Sequence, residues 1–162
     1  MKKISLIILA ALFSIQLYAQ DTKKDSTYPT SITDLVDCFN NVNSAHPDPY
    51  FIQKGYKYTG GKVTRDTVAR VYTSTTSTDK ISFDKVRGKA YALAFFTTSK
   101  AEARKIVLTF APNGYGIVKS NLNDTIAVYR YNGPEYSVYY GFRKTKKENG
   151  NTEYSFNLYK NK

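Results

Sequence analysis

Apolar residues return at helical spacing early in the chain: Ile32, Leu35, Val36, Phe39 and Val42 recur at intervals of three and four within SITDLVDCFNNV. Ser31 precedes them with Asp34 three residues on, an approximate capping box, so a helix is predicted to open at Ser31. NSAHPDP breaks it. Asp48 is placed to cap a second, short helix with Pro49 at its first position, running through YFIQK to Gly55. A further stripe of Ala103, Val107 and Phe110 follows Ser99 and Glu102, a better capping box. Pro112 falls in the last turn of that helix, where it removes a hydrogen bond. Residues 105–110, KIVLTF, read as helix or as strand.

Between these stretches the period changes from helical spacing to two. Four strand-like runs follow the second helix, at 56–63, 68–73, 80–86 and 90–97. Four more follow the third, at 115–120, 126–131, 136–142 and 153–159. Tyr136, Val138, Tyr140 and Phe142 share one face of their strand, as do Tyr154, Phe156 and Leu158. Ile81 with Phe83, and Tyr91 with Leu93 and Phe95, continue the alternation. NGP at 132–134 and KENGN at 147–151 supply hairpin turns.

FIQKGY at 51–56 and FAPNGY at 110–115 repeat Phe-x-x-x-Gly-Tyr. A glycine just past a helix end adopts the left-handed conformation and lets the next residue meet the one four before the glycine. On this reading Tyr56 contacts Phe51, and Tyr115 contacts Phe110. Asp66-Thr67-Val68 and Asp124-Thr125-Ile126 also recur, each before the second strand of its half. The chain is therefore predicted to be α+β: two α-ββββ repeats, at 31–98 and 99–162, forming one antiparallel sheet with helices packed on one face. This arrangement resembles the β-lactamase-inhibitor-protein-like architecture, in which two helix-plus-four-strand units share a sheet. The resemblance covers about residues 31–162 and rests on topology and the repeated stop signal. It implies a binder or adapter in the cell envelope that uses the open sheet face, and it assigns no site residue.

The first residues lie outside this pattern. MKK is basic, and ISLIILAALFSIQLYA is apolar and ends in a small residue, as in a secretory signal peptide cut after Ala19 or Gln20. The apolar run falls short of the ~20 residues that span a bilayer. Residues 20–30, QDTKKDSTYPT, are polar and read as a tether. The expectation is an exported bacterial protein, periplasmic or extracellular, with no transmembrane span in the mature chain. Its formal charge is +11; loss of Lys2 and Lys3 with the leader keeps it strongly basic, which favours anionic partners.

Chemistry is sparse. The chain has one Cys, Cys38, and one His, His46, so a zinc site of four His/Cys ligands cannot form within it. A Cys–His nucleophile needs the imidazole within reach of the sulfur, and Cys38 reads instead as a packing thiol. Asp34, Asp37 and Asp48 lack the dense loop of a calcium site. YTGGK has a glycine pair without the loop-to-helix context that holds phosphate, and no nucleophile elbow, P-loop or dinucleotide fingerprint occurs. Asp-Ser/Thr-apolar triplets at 25–27, 66–68 and 124–126 resemble an O-glycosylation sequon, or simply start strands.

No cofactor, metal or catalytic residue is expected, and no nucleic-acid partner. The expected role is a non-catalytic binding or adapter module contacting an unknown protein. Tyr139 and Tyr159 oppose the core alternation of their strands and are candidate contacts. Arg143, Lys144, Lys146 and Lys147 form a basic stretch suited to an anionic envelope component or to a solvated hairpin tip. An envelope hydrolase, and a structural protein held to anionic surfaces by charge, are the alternatives.

Overall fold

The structure, a computed structural model, describes residues 28–44, 46–122, 126–144 and 152–161, with only the backbone of Lys144. The predicted leader, most of the predicted tether, Lys146, Lys147, the predicted KENGN turn and the Asp residues of two of the three Asp-Ser/Thr triplets lie outside the described residues. Among those described, no helix is long and apolar enough to cross a membrane.

The chain is α+β. Helices α1 (Ile32–Val42) and α2 (Pro47–Gln53) precede β1 (Tyr56–Val63), β2 (Thr67–Ser74), β3 (Lys80–Val86) and β4 (Lys89–Thr97). Helix α3 (Lys100–Leu108) and a 3-10 turn (Ala111–Asn113) lead to β5 (Gly116–Leu122), β6 (Ile126–Asn132), β7 (Tyr136–Lys144) and β8 (Thr152–Lys160). The strands form one antiparallel sheet in the order β1-β2-β3-β4-β8-β7-β6-β5. Two four-stranded meanders thus meet along β4 and β8.

Local chemistry sets the helix ends. Ser31 Oγ accepts from Asp34 N, and Ser99 Oγ from Glu102 N, so both predicted N-caps form. Residues 105–108 are helical. Thr109 ends the helix: its hydroxyl donates to Ile106 O at 2.6 Å and accepts from Ile32 N at 2.8 Å, tying α3 to the start of α1. Pro112, which has no N–H to give, sits in the 3-10 turn instead of the α-helix.

Two expectations are corrected here. Helix α2 starts at Pro47, with His46 at the N-cap and no side-chain cap bond. Asp48 lies inside the first turn and turns to the sheet, pairing with Arg70 and accepting from Tyr72 Oη. A charged hydrogen-bond partner on β2 outcompetes local capping. The second correction concerns the stop signal. Gly55 and Gly114 are both left-handed, at φ 84° and 78°. The ring contact forms in the second copy only, where Phe110 and Tyr115 lie 5.9 Å apart and Tyr115 N donates to Phe110 O at 3.0 Å. In the first copy Phe51 stacks on Tyr72 at 4.6 Å instead.

Residues paired across antiparallel strands share a face, so the register maps the core directly. One row runs Tyr72, Ile81, Phe95, Phe156, Tyr140, Tyr129; the next runs Phe83, Leu93, Leu158, Val138, Tyr131. These rows join Ile32, Leu35, Phe39, Val42, Phe51, Ala103, Ile106 and Phe110 of the helices and their ends in one cluster. Full burial of each Ile, Leu, Val or Phe among them is worth about 1.5–3 kcal/mol. Gly133 is required by close packing, because a Cβ there would enter the Tyr115 ring.

Candidate functional site

The face opposite the core rows carries small and polar side chains over most of its area: Ala69, Thr73, Ser82, Ala92, Ala94, Ser155, Asn157 and Gly141. Phe96 beside Lys80, Val71 and Val128 also lie on this face; several aromatic rings gather with a cation around Arg130. Arg130 on β6 pairs with Tyr139 on β7; Tyr159 on β8 pairs with Ser137 on β7 and with Ala92 on β4. Tyr91 follows on β4. Four adjacent strands each give one large side chain to an oblique row.

Tyr91 corrects the sequence reading, which placed it with Leu93 and Phe95. The β3–β4 register shifts after Asp84↔Ala92, so that Lys85 pairs with Ala90 and Tyr91 is the extra residue of a bulge. The bulge turns Tyr91 out of the core side. It is 61% exposed, and its ring meets Tyr159 edge-on at 6.2 Å and 81°. Tyr159 meets Tyr139 at 5.6 Å and 87°. The Arg130 guanidinium lies 5.6 Å from the centroid of the Tyr139 ring.

The row borders a concavity of about 570 Å³ lined by Tyr91, Arg130, Ser137, Tyr139, Tyr159, Lys160 and Asn161. Its floor is polar and ordered. Arg130 Nε donates to Asn132 Oδ1 at 3.2 Å, and Asn161 Nδ2 donates to Gly133 O at 3.0 Å. The buried Ser137 hydroxyl lies 3.0 Å from Asn132 Oδ1 and 2.8 Å from Asn161 Oδ1. One hydroxyl proton serves only one of these two oxygens at a time. Burial, then the neighbouring Tyr91, Tyr139 and Asp84, raise the Tyr159 hydroxyl above its ordinary pKa, so it stays a neutral donor at physiological pH.

The structure thus brings the two predicted tyrosines together and adds Tyr91, Arg130 and Lys160, which the sequence did not nominate. Arg143 shares the face of Tyr139 but pairs with Ile126 and Glu153 and stays outside the concavity. Lys144's side chain, Lys146 and Lys147 are outside the described residues.

The other candidates are dispersed. Cys38 is fully buried, and its partners are hydroxyls: Tyr28 Oη at 3.5 Å and Tyr50 Oη at 3.9 Å. Burial pushes its thiol up to about 12. His46 is exposed beyond the end of α1. Asp34 accepts from Thr30, Asp37 from Tyr50 and Asn41, and Asp48 from Tyr72 and Arg70. Among the described residues, no group of three His, Cys, Asp or Glu side chains converges as a metal site.

The fold and site together define an α+β scaffold with an aromatic and cationic recess on one sheet face. Comparison with protein-family models, curated proteins and solved structures finds no match for this chain.

Proposed function

We propose that this is an exported, non-catalytic binding or adapter module that contacts another protein through the open face of its sheet. The observation that carries this reading is the recess where Tyr91, Tyr139, Tyr159 and Arg130 gather on the outer face of the sheet. Tyrosine gives rigid contact area at low entropic cost, and aromatic residues with Arg dominate contact energies at protein interfaces.

The scaffold is read as a tandem of two helix-plus-four-strand units with the helices on one face. Three pairs at a common offset support the duplication. Gly55 and Gly114 are both left-handed. The register shifts at Tyr58/Gly60 in β1 and at Ile117/Lys119 in β5. Tyr72 packs on Phe51 and Tyr131 on Phe110, both at 4.6 Å. The side chains that the three helices and the helix ends add to the core belong to the same cluster as the inward strand rows, which supports a single covered face.

The test is affinity capture from the native host's envelope with the wild type, Tyr139→Ala and Tyr159→Ala. A partner recovered by the wild type and lost from both variants supports the reading. Equal recovery by all three overturns it. The formal charge of +11 favours a second reading, a structural protein held by charge alone; release from isolated envelopes at modest salt, indifferent to both tyrosine substitutions, identifies that case.

A further inference from the structure

Arg130 is held in place, yet of its five N–H donors only that on Nε has a partner among the described residues. Its Nε is bound to Asn132 Oδ1, and its guanidinium carbon sits near the Tyr139 ring. Tyr139 is in turn braced by Tyr159, and Tyr159 by Tyr91. Among the described residues the salt bridges are Arg70–Asp48 and Lys105–Glu102, and no carboxylate pairs with Arg130. Its two terminal nitrogens therefore present a planar fork with no partner among the described residues, on a side chain that lines the recess. Such a fork matches the two oxygens of a carboxylate, and the ring and amide that fix it reduce the ordering cost of binding. Lys160 adds a second cation to the same lining. Asp84 lies near Tyr159, and Glu135 meets the recess through its backbone oxygen, which accepts from Asn161 N.

From this we infer that the recess receives an extended peptide segment whose Asp or Glu carboxylate is bound end-on by Arg130 while an apolar side chain beside it packs on Tyr159 and Tyr91. The inference rests on the binding-module reading and names the chemistry of its partner. Geometry sets the spacing. Arg130, Tyr139, Tyr159 and Tyr91 stand on four successive strands; with strands about 4.8 Å apart and the row slanting by two residues at Tyr159 and three at Tyr91, Arg130 is about 12 Å from Tyr159 and about 17 Å from Tyr91. An extended peptide covers the shorter distance in about three or four residues and the longer in about five, so a carboxylate on Arg130 and an apolar side chain on Tyr159 lie two to four positions apart. A peptide is favoured over an acidic sugar because the rings meet edge-to-face, with centroids 5.6 Å and 6.2 Å apart. That packing divides the row into side-chain-sized notches rather than one open stacking platform.

The experiment pans a randomised pentapeptide library on beads against the full protein, then titrates the best peptide and its Glu→Gln or Asp→Asn counterpart by calorimetry. The expected result is enrichment of Asp or Glu two to four positions from an aromatic or aliphatic residue, with the amide counterpart binding about tenfold more weakly. Arg130→Gln should melt within a few degrees of the wild type and lose the acid preference while keeping the apolar one. Arg130→Lys, which keeps the charge without the fork, should recover only part of the acid preference. No retained peptide, no acid preference, or an acid preference surviving in Arg130→Gln overturns the inference. So does trigalacturonate binding more tightly than the best peptide. If only this inference fails, Tyr139→Ala and Tyr159→Ala still abolish capture of the native partner while Arg130→Gln does not. If the binding-module reading fails, the tyrosine variants leave capture unchanged as well.

Discussion

Tyr139 and Tyr140 are chain neighbours with opposite fates, and exchanging each for Ala tests the register that places the site. Tyr140 is in the inward rows: its ring stacks on Phe156 at 4.9 Å and 26° and lies 6.1 Å from Tyr129. Truncating a large buried aromatic costs about 3–5 kcal/mol. Tyr140 is only half-buried, so about 3 kcal/mol is expected. At about 3–5 °C per kcal/mol for a domain of this size, the melting temperature falls by roughly 9–15 °C. Tyr139 loses one edge-to-face partner and one cation contact, both on the outer face. Those contacts together are worth about 1 kcal/mol, or roughly 3–5 °C. Tyr140→Phe separates ring from hydroxyl. No hydrogen bond to that hydroxyl occurs among the described residues, so the variant should melt within about 2 °C of the wild type. Thermal unfolding followed by circular dichroism gives all three values. Equal losses for the two alanine variants, or a larger loss at Tyr139, would mean that β7 presents its other side to the core. A one-residue slip moves every side chain of a strand to the opposite face, so that result would remove the recess along with the core assignment.

Three further outcomes follow from particular contacts. Gly133→Ala should destabilise by about 1–3 kcal/mol in denaturant titration, because its methyl group must displace the Tyr115 ring; an unchanged midpoint refutes that packing. Asp48 is held below the usual carboxylate range, first by the hydrogen bond from Tyr72 and then by Arg70. Its folded pKa is depressed, so its stabilisation is present above the unfolded value of about 4 and fades as pH falls through the lower folded value. The Asp48 side chain is 42% exposed, which keeps the effect modest. Urea titrations should show Asp48→Asn losing stability at pH 7 and approaching the wild type near pH 2; a constant gap across that window argues against it. Cys38, with its thiol pushed up to about 12 and no exposed surface, should resist a thiol-reactive disulfide reagent at pH 8 and label fully in guanidinium; rapid labelling of the folded protein contradicts its burial.

Most strand limits were legible because alternation and turn residues agree. Val138, Tyr140, Phe156 and Leu158 repeat at a period of two, and Asn132-Gly133-Pro134 marks the hairpin between β6 and β7. The failures share a cause. Asp48 forgoes capping for Arg70 and Tyr72, and Phe51 packs on Tyr72; each contact involves a residue distant in sequence that pattern cannot bring near. Tyr91 fails differently. Its spacing from Leu93 and Phe95 is regular, and only the bulge opposite Asp84 and Lys85 reverses it.

The site was readable in faces and unreadable in neighbours. Tyr139 and Tyr159 stood out because each breaks the apolar alternation of its strand. Arg130 carried the same signal, lying between the inward Tyr129 and Tyr131. What pattern lacked was the pairing of β4 with β8, which brings Tyr91 from the first meander against Tyr159 at the end of the second. Charge density pointed instead toward the 143–147 stretch. Of its described part, Arg143 stands opposite Glu153, whereas Arg130 is fixed by a ring and an amide and faces no carboxylate among the described residues. A cation held in one orientation, with no counter-ion among the described residues, is a stronger indication of an anionic partner than several solvated ones. Solvated charges gain little from any single contact, while a preorganised one needs little further ordering to bind.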